Sequence, residues 1–516
     1  MPTTAEMLAT AIEHHQAGRF QAAEQIYRQI LAVEPNHAGA WHLFGLLAHQ
    51  VGKQETAIQY IEYAIRLNPG VAAFHSNLGV AYRALGKLGE ATACWRRALE
   101  LSPEFVDAMV NLGNVLRERG QLDEAVACYR RALELKPDNP TAYYNYGTAL
   151  SDQGLLADAV ACYRRALSLK PDYADALNNL GFALKRQGQL DEAATCYQRA
   201  LELRPDFAEC RLNLGVLRLL RGDFAAGWPD YEARWPAGKV AARDFRQPLW
   251  DGRPLDGKTI LIHAEQGFGD TIQFIRYAPL VQQRGARVIF ECQKPLVRLL
   301  AAWPEIEQLV PQGEPLPRFD VQSPLLSLPG IFRTSLETIP VRTPYFFAAP
   351  EVVEHWRGEL GAIGGRKIGI AWHGDPRQEN NRARSISLRC FEPLAGLPGV
   401  QLVSLQKGAG VEQLQDAAGR FPITEVGSRL NDFMDTAGAI MNLDLVIACD
   451  TAVAHLAGAL GARVWVALCY VPDWRWLLDR DDCPWYSTMR LFRQKQPGDW
   501  PGVFEEIKTA LGPVKQ

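Results

Sequence analysis

The stretch NLGNVLRERGQLDEAVACYRRALELKP, residues 111–137, decides how the first half of the chain folds. NYGTALSDQGLLADAVACYRRALSLKP, residues 145–171, restates it one step of 34 residues later. Working outward, prolines recur at Pro35, Pro69, Pro103, Pro137, Pro171 and Pro205. Glycines keep the same step at Gly45, Gly79, Gly113, Gly147, Gly181 and Gly215, and a second glycine series runs from Gly18 to Gly222. Tyr27, Trp95, Tyr129, Tyr163, Tyr197 and Tyr231 form an aromatic series, with Ile61 in the remaining slot. A fixed period of this length marks a stack of identical supersecondary units.

Each recurring position has a physical task. The first glycine, lacking a Cβ, lets the two helices of a unit approach closely. The second sits in the turn, where a left-handed backbone suits glycine. The aromatic fills the gap between units, and the proline ends the second helix. A 34-residue helix–turn–helix unit of this kind resembles the tetratricopeptide repeat, over roughly residues 4 to 240. Six full repeats are expected, then a seventh that degrades, where Gly227 replaces the packing alanine and Lys239 the proline. A terminal repeat should deviate, because it faces something other than another repeat.

Asn77, Asn111, Asn145, Asn179 and Asn213 occupy the same position in five successive repeats. The first helix of such a unit lines the concave groove, and asparagine offers both a donor and an acceptor to a peptide backbone. These positions are similar to the asparagine column that binds acceptor polypeptides in protein O-GlcNAc transferases. The alternative is that they bond neighbouring helices.

With 516 residues, two or three domains are expected. An apolar content of 47% and a charged content of 22% are ordinary for a globular protein, and a net charge of −3 gives no reason to expect nucleic acid. No cationic stretch with an apolar core opens the chain, and no long apolar run is present, so a cytoplasmic protein without a membrane span is expected. The ten cysteines contain no C-x-x-C pair, and none is expected to bind metal.

After residue 240 the period stops, and short apolar stretches alternate with helical ones. Thr259–Ala264, Arg287–Cys292 and Glu307–Val310 read as strands, and from 311 to 350 the pattern blurs. A second series comprises Ile368–Trp372, Val400–Gln406, Leu443–Cys449 and Arg463–Leu468. This predicts α/β architecture in two Rossmann-like subdomains, 241–350 and 351–516, with ligands beyond the carboxyl ends of the strands.

Three strand-end segments could carry chemistry. Ala264-Glu-Gln-Gly-Phe-Gly-Asp270 holds Gly267 and Gly269 in a tight turn, with Asp270 either a helix cap or a general base. Asp450-Thr-Ala-Val-Ala-His455 sets Asp450 before a helix and His455 a turn inside it. There Thr451, Ala452 and the first amides could receive a diphosphate, or Asp450 could cap and His455 pack. The loop His373–Leu388 brings Arg377, Arg382 and Arg384, which could match phosphate oxygens or simply face solvent. A fourth segment, Ser404-Leu-Gln-Lys-Gly408, also ends a strand and adds Lys407 as a further donor-binding cation.

These motifs resemble glycosyltransferase family 9, the family of the lipopolysaccharide heptosyltransferases, over roughly residues 258 to 511. The resemblance implies the GT-B fold, with the acceptor side first and the donor side second. It implies Asp270 as catalytic base and Arg384 as a cation near the donor. Asp450 would contact the sugar, with Thr451 and His455 at the diphosphate. The implied reaction is metal-independent and inverting, with a nucleotide-sugar as co-substrate and no other cofactor. Alanine at 452 departs from the glycine or serine common there. The whole chain is similar to bacterial proteins joining the repeats to such a domain. Two functions are therefore expected in competition. One is a transferase whose solenoid recruits a protein or peptide acceptor, and the other is an interaction scaffold with an inactive GT-B domain.

Overall fold

The computed structural model describes residues 2–241, 243–340, 343–378 and 381–512. It divides into two compact units, Met1–Arg186 and Gln187–Gln516. Among the described residues fourteen α-helices, from Thr4–Gln16 to Phe224–Tyr231, precede the first strand, and every later sheet is parallel. None of the described helices is long and apolar enough to cross a membrane.

In the first unit the glycines bring the two helices of a repeat together, and the aromatic packs inside that pair and not in the gap between units. Tyr129 and Tyr163 are buried, and each rests on the glycine of its own repeat. A Cβ on Gly113 would stand 2.7 Å from the Tyr129 ring, and one on Gly147 would stand 2.8 Å from Tyr163. The turn glycines have φ between 71° and 86° from Gly86 to Gly154, which an L side chain resists. Gly113→Val is therefore expected to destabilise the solenoid by about 1–3 kcal/mol, through overpacking of a ring that has no free space. A lowered midpoint in chemical denaturation, with unchanged far-ultraviolet dichroism before the transition, would show it.

The second unit begins inside the repeat region. The last helix of that repeat region, Phe224–Tyr231, is shortened to 8 residues and continues into a 3₁₀ turn, Glu232–Arg234. Gly227 is required there, since a Cβ would lie 2.6 Å from Leu219. Trp228 meets Trp474 edge to face at 5.3 Å, and Phe224 approaches Trp485 at 6.4 Å. The terminal repeat thus ends in an aromatic cluster shared with the α/β part, which explains its departure from the repeat pattern.

The first sheet has strands β1 (Thr259–His263), β2 (Arg287–Cys292), β3 (Gln308–Pro311) and β4 (Val321–Pro324), in the order β3-β2-β1-β4. The second has β5 (Arg366–Ala371), β6 (Val400–Ser404), β7 (Ile423–Glu425), β8 (Leu445–Ala448), β9 (Val464–Leu468) and β10 (Met489–Arg493), in the order β10-β9-β8-β5-β6-β7. Central strands such as β8 and β9 are buried along their whole length, as near-continuous apolar runs demand. In each sheet the strand order reverses beside the first strand, between β1 and β4 and between β5 and β8. Such switch points open a crevice at the strand carboxyl ends. The segments that follow β1, β5 and β8 lie there.

β4, β7 and β10 fall where the sequence reading placed no strand. The helix after β1 starts at Phe268 rather than at Asp270. Gly267 is its cap, and Asp270 reaches back to accept the Gly267 N–H at 2.8 Å.

Candidate active site

At the end of β1 the chain turns through 264–270, and the helix Phe268–Phe274 directs Asp270 inward. Its second carboxylate oxygen accepts a hydrogen bond from Arg475, a residue of the 3₁₀ turn Trp474–Trp476 beyond β9. Arg475 also bonds Asp473 at 2.7 Å and stacks over the Trp474 ring at 4.4 Å. Burial raises the pKa of Asp270 above the usual carboxylate value, while the Arg475 charge opposes that shift. Burial also works against the charge on Arg475, but Asp473 and Asp270 outweigh it and hold the guanidinium protonated.

The second sheet supplies the facing groups from the loops after β5 and β8, adjacent strands in its order. Arg384 leans on Gly374, where a Cβ would come within 2.7 Å of its guanidinium, and its Nε is buried with no hydrogen-bond partner. Thr451 caps the helix Ala452–Ala459 with its backbone alone, leaving its hydroxyl buried and unpaired. Two unmatched polar atoms at one crevice mark a place where a polar ligand would be welcome. Burial, reinforced by Asp473, pushes the Asp450 carboxyl up to about 6, against the pull of Arg384 and Arg475.

His455 is held from three sides. Trp476 stacks on its ring at 5.1 Å, Asp450 lies 3.9 Å from Nε2, and the Tyr486 hydroxyl lies 3.1 Å from Nδ1. Tyr345 receives an Arg276 N–H at 2.7 Å and donates to the Ile272 carbonyl at 3.0 Å. If the Tyr486 hydroxyl donates to Nδ1, the imidazole proton lies on Nε2, the nitrogen that faces Asp450. Burial, then the cations Arg475, Arg276 and Arg384, hold the histidine pKa well below its ordinary value. It is therefore a neutral donor.

The two sets meet at Gly269. A Cβ there would lie 2.8 Å from His455 Cδ2 and 3.6 Å from the Ala452 Cα. Small residues at 269 and 452 allow the helices carrying Asp270 and His455 to touch. A Gly269→Val chain should lose about 1–3 kcal/mol and spread these two side chains apart. Denaturant titration, together with the His455 imidazole resonance in NMR, would register both effects.

Other residues singled out in the sequence lie differently. The Lys407 ammonium bonds the backbone carbonyls of Leu430 and Asn431, so it braces a loop. Arg377 is exposed and paired with Asp375 at 2.7 Å, and Arg382 is exposed. Glu379 and Asn380 of the same loop lie outside the described residues. In the first unit Asn77 bonds His42 at 2.9 Å and Asn179 bonds Tyr144 at 3.3 Å, as in the neighbouring-helix alternative. Asn111 and Asn145 are half-buried. Asn213, in the second unit, stands in the helix Ala208–Leu220 and is half-buried too.

Arg475, Tyr486 and Arg276 were missed in the sequence. For Arg475 a signal existed: Asp473-Trp-Arg475 follows β9, and the same strand-end rule that drew attention to Asp450 applies there.

Helical pairs of 34-residue period define this chain first as a repeat protein carrying a parallel α/β region. Tetratricopeptide repeat models match residues 8–72, 72–105, 94–127 and 174–207, and a TPR repeat model matches 113–154 and 147–188. The N-terminal region is thus composed of tetratricopeptide repeats. Among curated proteins the chain is similar to Protein FlbA of Caulobacter vibrioides, 29% identical over 327 residues covering 57% of this chain. It spans about half of that relative's length, 54%. Solved structures with partial likeness include YrrB, described as a TPR protein with an unusual peptide-binding site. It is 23% identical and covers 36% of this chain and 95% of its own, with a TM-score of 0.32. PilW, described as a type IV pilus biogenesis factor, is 21% identical over 41% of this chain and 98% of its own, with a TM-score of 0.39.

Proposed function

We propose that the chain is an inverting glycosyltransferase of GT-B type that uses a nucleotide-sugar and takes a polypeptide acceptor through its repeats. The observation that carries this reading is the convergence of Asp270, from the first sheet, with Arg384, Thr451, Asp450 and His455 from the switch point of the second. In the proposed reaction the acceptor hydroxyl gives its proton to Asp270 as its oxygen bonds to the anomeric carbon. The bond from that carbon to the diphosphate oxygen breaks, and the nucleoside diphosphate leaves with the electron pair. Arg384, the Thr451 hydroxyl and the His455 Nε2–H face the charge that develops on the leaving group. Asp450 would hold the sugar hydroxyls. Asn111 and Asn145 would contact the acceptor backbone.

The rival is a repeat scaffold whose α/β region no longer turns over. The ion pair between Arg475 and Asp270 favours it, because a base already bonded to a cation is a weaker proton acceptor. Equilibrium dialysis of the full chain against a nucleotide-sugar panel, with mass spectrometry of what is retained and what is released, separates the two. Binding with release of nucleoside diphosphate supports the transferase. Retention without release supports the scaffold, and no retention by any donor ends both donor-based readings.

A further inference from the structure

A cavity of about 460 Å³ lies in the second unit, away from the Arg384–His455 set. It opens at the carboxyl ends of β1 and β4, the switch point of the first sheet. The terminal repeat forms one wall through Trp228 and Trp235, and the segment after it forms another through Phe245 and Trp250. The motif 227–235, where the repeat period breaks, is therefore also what encloses this space. Trp235 and Phe245 are half-buried, each leaving part of a ring open.

The polar groups narrow the occupant. His263, 2% exposed, ends β1 and lines the cavity; its Nε2 meets Gln322 at 3.0 Å and its buried Nδ1 has no partner. Burial holds that imidazole down to a pKa of about 4, so it presents no charge near neutrality. Two ionised groups also face the cavity, and both are committed. Arg243 pairs with the buried Glu291 and lies over the Phe245 ring at 4.6 Å. Glu232 accepts from Arg234 at 2.7 Å and from the Ser327 hydroxyl at 3.0 Å. Each charge is already matched by its own partner, so neither is left unpaired to draw an ionic ligand of either sign. A neutral ligand needs no such counter-charge. Half-open aromatic faces suit the apolar face of a pyranose, and an unpaired nitrogen acceptor suits a hydroxyl.

We infer that this cavity is a binding site for a neutral saccharide, built jointly by the terminal repeat and the first sheet. Its size lies within the usual range for small-ligand pockets, roughly 300–1,000 Å³. The inference does not depend on sugar transfer: the site would bind glycan in a chain that never turns over a donor.

The test uses the full chain on a glycan array, followed by saturation-transfer NMR with the neutral glycans that score. Binding should appear without any nucleotide-sugar, fall at least fivefold in Trp235→Ala and Phe245→Ala, and persist in Asp270→Asn. Thermal melts keep the comparison to variants that fold, since Phe245 packs against the core cluster of Leu261, Ile289 and Val310. Tetramethylammonium and inorganic phosphate serve as charged probes and should not displace the glycan. Silence across the array, glycan binding indifferent to both aromatic substitutions, or displacement by either charged probe would overturn the assignment. Loss of donor binding alone would count only against the transferase.

Discussion

Arg475→Met should cost about 3–5 kcal/mol of stability, the scale for removing one partner of a buried ion pair. Arg475 is 7% exposed and serves Asp270 and Asp473 at once. Methionine keeps much of the packing against Trp474 and Phe274 but leaves Asp270 as a buried carboxylate without its cation. The deficit should depend on pH in a stated direction. In the variant the folded-state pKa of Asp270 rises further above its unfolded value, because burial remains and the opposing charge has gone. Stability relative to the parent is therefore lowest at neutral pH and recovers as pH falls through that raised pKa. Urea titrations at several pH values measure this. A double variant, Arg475→Met with Asp270→Asn, should regain part of the loss at neutral pH, where the single variant is weakest. A deficit below about 1 kcal/mol, flat with pH, would mean that the pair behaves as a solvated surface contact.

That network also shows where sequence reading runs out. The repeats were legible because one unit recurs at a fixed step; that Tyr129 packs on Gly113 inside its own unit, and not in the gap between units, is a product of the packing. The strands β1, β2, β5, β6, β8 and β9 were legible because buried parallel strands are short apolar runs. β4 was not: VQSP has no apolar run, and its place in the sheet comes from pairing with β1 at Ile260–Val321. β7 is three residues long and β10 lies at the opposite edge, where local sequence carries little. Asp270, Arg384, Asp450 and His455 were found by asking which residues follow strands. What that rule cannot supply is the partner of each. Arg475 lies 205 positions from Asp270, and Tyr486 lies 31 from His455. Such pairs are products of tertiary packing. Lys407 illustrates the converse, since a cation after a strand looked like a ligand group and instead bonds two carbonyls.

If the chain is the transferase proposed above, the second large effect expected is a fall in transfer of about 10²–10⁴-fold on Asp270→Asn, the range for removing a general base. Asparagine keeps the shape, and its single amide oxygen can still accept from Arg475, at the cost of the hydrogen bond from the Gly267 N–H, so the melt should move less than in Arg475→Met. The two substitutions are thus a matched pair around one contact: one removes the charge that holds the site together, the other removes the group that takes the proton. The parent's pH profile carries an independent mark. A base must be ionised, and burial raises the pKa of Asp270, so the acid limb of kcat should lie above the ordinary aspartate value of about 3.9. Asp450, pushed up to about 6, would produce a limb in the same region, and Asp450→Asn tells them apart. If Asp270 is the base, Asp450→Asn lowers the rate but keeps the limb, whereas Asp270→Asn removes it. A transferase whose limb vanished only with Asp450 would make Asp450 the base and leave Asp270 as Arg475's anchor.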